Sequence, residues 1–170
     1  MINEQAKFAL DLLTAGFDEE MRTARRVIEA IPEDKCDFRP ERRVRSAFEM
    51  AWHLVSSEIW FLEGILAGQF SPEEPRMPAQ VKSIHDILDY YDRNAPALVR
   101  QVREMKPEEL ARPVDFFGMP PKPAVLYLPL LTVHSVHHRA QLALYLRMMG
   151  LKVPSIYGGS LDEPFQSAGA

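Results

Sequence analysis

The chain has 170 residues and a mass of 19.4 kDa, enough for one domain with a sizeable core. Its composition, 46% hydrophobic and 26% charged, excludes a disordered chain. A net charge of −4 argues against a general nucleic-acid binder or an anionic-membrane binder, because both need a basic field.

Prolines and glycines divide the chain into four long periodic segments. The first, about Asn3 to Ile31, places Phe8, Leu12, Ala15, Glu19 and Arg22 on successive turns and ends at Pro32. The second opens at Ser46 with Glu49 three residues on, a capping-box pattern, and runs through Trp52, Ile59 and Leu62 to Gly68. Prolines 72, 75 and 78 fill the next connection. The third opens on Ser83-Ile-His-Asp86, another cap pattern, and runs towards Met105, with a kink or break expected at Pro96. An irregular passage follows from Lys106 to Pro123, including Phe116-Phe-Gly-Met-Pro-Pro, and reads as a lid. The fourth segment, about Ala124 to Gly150, stops at a usual C-cap residue. With no convincing alternating β pattern, the chain reads as all-α, a four-helix bundle forming a single domain over residues 1–170. The stretch 151–170 reads as an irregular tail packing back on the bundle through Val153, Ile156, Tyr157 and Phe165.

One cysteine, Cys36, excludes an intramolecular disulfide and suits a reducing compartment. The N-terminus lacks a basic region followed by an apolar run, and no stretch approaches the roughly 18–20 apolar residues of a membrane span. A cytoplasmic protein is the expectation.

Three of the five histidines fall within the run His134-Ser-Val-His137-His138 on the last helix. Residues four apart share a helix face, so His134 and His138 point the same way, along a stripe with Leu131, Leu142, Tyr145 and Met149. Imidazoles aimed at a core need partners, and a metal ion is the economical one. The best third ligand is His53 on the second helix, one turn from the small residues Ser56 and Ser57. His85, in the first turn of the third helix beside Asp86, reads as solvated. His137 lies about 100° from His138 around the helix, and the i,i+4 pair is preferred. Three neutral imidazoles suit zinc, nickel, cobalt, iron or copper. A divalent transition metal is therefore the expected cofactor; the ligand set does not choose among the five, and zinc and nickel are the first to look for.

The run His134-x-x-x-His138-Arg139-Ala-Gln141, continuing to Tyr145-Leu-Arg147-Met-Met-Gly150 and Val153-Pro-Ser-Ile-Tyr157-Gly, resembles the DinB-like superfamily of bacterial four-helix proteins. So does Met50-Ala-Trp-His53-Leu with Glu58 and Trp60 following. The resemblance spans nearly the whole chain. It implies a divalent-metal triad of His53, His134 and His138, and leaves one departure, Ala140 in place of the family's glycine. Characterised members include thiol S-transferases and a mycothiol-dependent maleylpyruvate isomerase, while the family name, from induction by DNA damage, carries no evidence of DNA binding. On this footing two functions are expected from different classes. One is a metal-dependent enzyme with an open coordination position, activating a low-molecular-weight thiol or a water for a small-molecule substrate. The other is a non-catalytic bundle stapled by metal and assembled as a homodimer through a fourth helix that is apolar nearly all round. Arg139 reads as a structural ion-pair partner in preference to a substrate-carboxylate clamp, Glu49 as the capping-box acid, and Cys36 and the basic run Arg39 to Arg45 as incidental. Trp52, Trp60, Phe116 and Phe117 read as core or pocket wall.

Overall fold

A computed structural model describes residues 1–73 and 75–164 of the chain. Six helices and one hairpin follow in order: α1 (Asn3–Thr14), α2 (Phe17–Glu29), α3 (Ala47–Ala67), α4 (Ile84–Arg103), α5 (Pro107–Ala111), β1 (Pro113–Phe116), β2 (Met119–Pro123) and α6 (Leu128–Met148). The long helices close a ring in which α2 packs on α4, α4 on α3, α3 on α6 and α6 on α2. The chain is thus mostly helical.

Helix starts follow the capping residues. Ser46 Oγ accepts from the Glu49 amide at 3.2 Å, and the Glu49 carboxylate accepts from the Ser46 amide at 2.9 Å. Ser83 and Asp86 do the same for α4, at 3.0 Å in each direction. These bonds hold the Asp86 carboxyl below its usual range, the amide of Lys82 being the leading cause. Glu49 also grips Arg39 through two bonds, at 2.7 and 3.0 Å.

Three expectations are corrected. The first segment is two helices, because Gly16 is a poor helix former and Asp18, Glu19 and Glu20 favour a fresh N-terminus just after it. Its working face is also different: Phe8 and Leu12 are 70% and 65% exposed, while Ala6, Leu10, Phe17, Ala24, Val27 and Ile28 are buried. Second, of the kink or break expected at Pro96, the break does not occur, since α4 continues from Ile84 to Arg103. The burial of Tyr91, Ala95, Val99 and Val102 on either side offsets the roughly 3 kcal/mol cost of an interior proline. Third, residues 106–123 are ordered as α5 and an antiparallel hairpin, in which Pro113 pairs with Pro123 and Phe116 with Met119. The two-residue turn between them, Phe117-Gly118, has positive φ at both positions, 49° and 75°, as a tight hairpin of this hand requires.

A polar seam crosses the apolar core. Glu58 of α3, buried, accepts hydrogen bonds from Tyr91 of α4 and Ser135 of α6. Arg139 of α6, only 1% exposed, donates to the Glu20 carboxylate of α2 at 2.6 Å and to its carbonyl at 3.1 Å. The Tyr157 hydroxyl joins both, and the guanidinium lies 5.1 Å from the Tyr157 ring centre. Arg139 is therefore an ion-pair partner within the fold. Beyond α6, Val153 and Ile156 pack on the core, Arg147 pairs with Asp162 and Arg26 with Glu163. Phe165 lies outside the described residues.

Removing the guanidinium strands the Glu20 carboxylate and the Tyr157 hydroxyl. The substitution Arg139→Met is expected to lower the unfolding free energy by about 3 kcal/mol in urea titration, towards the lower end of the usual range because Glu20 is 26% exposed.

Candidate metal centre

His53 stands near the middle of α3, and His134 and His138 stand one turn apart on α6, which packs directly against it. The three imidazoles converge. Their ring centres are 5.3 Å (His53–His134), 4.5 Å (His53–His138) and 4.3 Å (His134–His138) apart. Nε2 of His138 lies 3.2 Å from Nε2 of His53 and 3.2 Å from Nε2 of His134. Two imidazoles bound to one tetrahedral ion at about 2.0–2.1 Å place their nitrogens roughly 3.3–3.4 Å apart, so this spacing matches a shared ion. Among the described residues, these three form the one His, Cys, Asp or Glu group placed to hold a metal.

The outward nitrogens settle how the rings are held. Nδ1 of His138 lies 2.8 Å from the Gln141 side-chain oxygen, so it carries the proton and leaves Nε2 a lone pair for the centre. Nδ1 of His53 lies 3.4 Å from the Ser57 hydroxyl. Nδ1 of His134 is buried with no hydrogen-bond partner among the described residues. Burial first, then the neighbouring imidazoles, pushes His134 from the ordinary 6.5 down to about 4. Burial likewise lowers His138, against the opposing effect of its bond to Gln141. Both rings are neutral at pH 7, the form that binds a metal.

The helix face they occupy needs one correction. Leu131 and Leu142 share their buried line with Ser135 and Arg139, and the histidines lie half-buried beside that line rather than on it. His137 is exposed and outside the converging group, and His85 is exposed, 3.7 Å from Asp89. Cys36 sits elsewhere, its thiol near the Glu33 carboxylate at 3.6 Å and pushed up to about 11, chiefly by burial. Sequence reasoning missed the roles of Gln141 and Glu58, both quoted only as parts of motifs. The i,i+3 spacing of His138 and Gln141 was the available signal for the first.

His53 and His134 line a cleft of about 310 Å³ with Ser57, the aromatic wall of Trp60, Phe61, Phe116 and Phe117, and the loop residues Ser71, Glu73 and Pro75. Gly64 makes this wall possible, since a β-carbon there would overlap the Phe70 ring. That ring in turn packs 5.0 Å from both Trp60 and Phe116. Across Pro75, His53 also borders a second, more polar cleft lined by Arg45, Glu49, Trp52 and Arg76.

The sequence model of the DinB family matches residues 3–166. An uncharacterised protein, YjoA of Bacillus subtilis, is 26% identical over 141 residues, covering 81% of this chain and 89% of that protein. The crystal structure of a DinB-like protein from Bacillus cereus superposes with a TM-score of 0.72 at 25% identity, over 85% of this chain and 95% of that one. That of YjoA superposes with the same score at 23% identity, covering 85% and 97%. A third, a DinB family member from Exiguobacterium sibiricum, scores 0.62 at 23% identity, covering 86% and 95%. These likenesses carry the fold. No helix among the described residues is long and apolar enough to cross a membrane.

The lowered His134 fixes the sign of a pH effect. Between the ordinary value of 6.5 and about 4, the unfolded chain takes up a proton that the folded one refuses, so stability falls as pH drops through that window. Denaturant midpoints of metal-free protein are expected to fall from pH 7 to pH 5, and less steeply in His134→Asn.

Proposed function

Because the chain belongs to the DinB family, we propose that it is a metal-dependent enzyme that activates a low-molecular-weight thiol, in the manner of an S-transferase, or a water. The observation that carries this reading is the convergence of the three imidazole Nε2 atoms beside a cleft that His53 and His134 line. A closed structural site usually takes four protein ligands, and a reactive one keeps a position for substrate. His53, His134 and His138 would hold the ion, zinc or nickel, with Gln141 and Ser57 orienting two of the rings. When bound, the ion supplies the Lewis acidity that turns a thiol or a water into a nucleophile near neutral pH.

The chain's own residues supply the rest. The aromatic wall excludes water from one side of the centre. Cys36 is no substitute for a low-molecular-weight thiol, since its high pKa keeps it protonated at neutral pH. In transfer, the sulfur bonds to an electrophilic carbon, the bond from that carbon to its leaving group breaks, and the thiol proton passes to solvent. The single cysteine fits a cytoplasmic setting.

A second reading has its own observation. The outer face of α6 exposes Val133, Leu144 and Met148 by 60%, 58% and 52%, and these positions line one side of the helix. Paired across a two-fold axis, that side makes a homodimer in which the bundle, with or without metal, is an assembly module. In sedimentation equilibrium the wild type is expected as a dimer and Leu144→Glu as a monomer; a monomeric wild type removes this reading.

The enzyme reading is tested on tag-free protein by plasma mass spectrometry. Wild type is expected to hold about one zinc or nickel per chain and His53→Ala close to none. The loaded wild type should then accelerate thiol loss with 1-chloro-2,4-dinitrobenzene, and His53→Ala should not. Wild type that takes up no metal after incubation with divalent ions sinks the reading.

A further inference from the structure

The aromatic cleft is built in a way that the helical core does not require. Trp60 and Phe117 face each other nearly parallel, with planes 4° apart and ring centres at 6.0 Å. Phe116 meets Trp60 edge-on at 6.1 Å, and Phe61 meets the His134 ring at 5.7 Å. Phe117 is the unusual member. It is 56% exposed and sits at φ +49° in the hairpin turn, a backbone conformation that favours Asn or Gly and is strained for a bulky side chain. Strain of this kind persists where something else holds it and gathers at ligand sites. Here it delivers a ring to the mouth of the cleft. The indole N–H of Trp60, which lines the same cleft, is buried and has no acceptor among the described residues.

The volume, about 310 Å³, lies at the small end for ligand sites and suits a molecule of one or two rings. The lining is mostly apolar, with aromatic walls beside the polar groups of His53, His134, Ser57, Ser71 and Glu73. A molecule that fills such a space has a flat apolar body and one polar, metal-seeking head.

We propose that the cleft walled by Trp60, Phe116 and Phe117 binds the ring of an aromatic substrate against those π-faces, with its reactive head at the histidine triad, and that Phe117 determines specificity as the ring at the mouth of that wall. The placement of the head rests on the metal-site reading above; the binding of the ring does not.

The test compares two chelators with the same head, benzohydroxamate and acetohydroxamate, on zinc-loaded protein by calorimetry. After correction for their affinities for free zinc, benzohydroxamate is expected to bind about tenfold or more tighter to wild type, from burial of its ring. Phe117→Asn suits the turn and removes the ring. It is expected to keep or raise the melting temperature and to leave acetohydroxamate binding unchanged, while erasing most of the preference for benzohydroxamate. Equal affinities of the two chelators for wild type, or an undiminished preference in Phe117→Asn, overturn the proposal. A separate arm uses metal-free protein and benzyl alcohol, read by saturation-transfer NMR. Transfer to the benzyl ring in wild type, weakened in Phe117→Asn, upholds ring binding even where neither hydroxamate binds, an outcome that would count against the metal reading alone. No transfer in wild type counts against ring binding itself.

Discussion

The rotation of α6 about its own axis is the constraint on which the rest of the structure depends, and two buried polar residues set it. Ser135 and Arg139 stand four apart on the line that faces the core, one reaching Glu58 and the other Glu20. Turning the helix would strand a buried carboxyl and a buried guanidinium, either of which costs far more than a displaced leucine. His134 and His138 each precede one of these residues, so they are carried about 100° around the helix to the border of the core. At that border the rings are buried enough to stay neutral and open enough to reach a cleft. The Glu58 carboxyl, pushed above its usual range by burial and eased by Ser135, Tyr91 and Arg139, is the other side of the same arrangement.

Much of this architecture was legible from residue order. The starts of α3 and α4 follow from Ser46 with Glu49 and Ser83 with Asp86, because a cap is a local bond between residues three apart. The choice of His53, His134 and His138 needed only helix geometry and a small-residue gap, and the three rings do meet. What could not be read depended on distant parts of the chain. The stripe through Phe8 and Leu12 has the spacing of a core face, yet the core lies on the side of Ala6 and Leu10. Spacing alone does not tell which of two apolar faces a neighbour covers. Gly16 and the acids after it did signal a break, and periodicity read across it hid the signal.

The hairpin escaped for a different reason. Its strands are rich in proline, which sequence rules assign to loops, and its turn uses Phe117 where Asn would announce a hairpin. Glu58 was equally hidden: a single acid in an apolar helix gives no sign of whether it faces water or two hydroxyls from other helices. Arg139 differed in this respect, since an arginine beside a metal-type motif invited both a structural and a substrate-clamping role, and burial at 1% exposure decides for the first.

The cleft beside the triad has walls of two origins: Trp60 and Phe61 stand on α3 with His53, while Phe116 and Phe117 come from the hairpin. His53, His134 and His138 stand within long, mutually packed helices, whereas Phe116 and Phe117 belong to an eleven-residue excursion between Pro113 and Pro123, whose ends are paired to each other. Sequence change at its tip, Phe117-Gly118, including lengthening there, leaves the helical framework untouched, because the ends stay fastened and Val114 remains in the core. A scaffold divided in this way can diversify what it receives at little expense to what it holds, and randomised libraries confined to the hairpin tip would explore that freedom while the core residue Val114 stays in place.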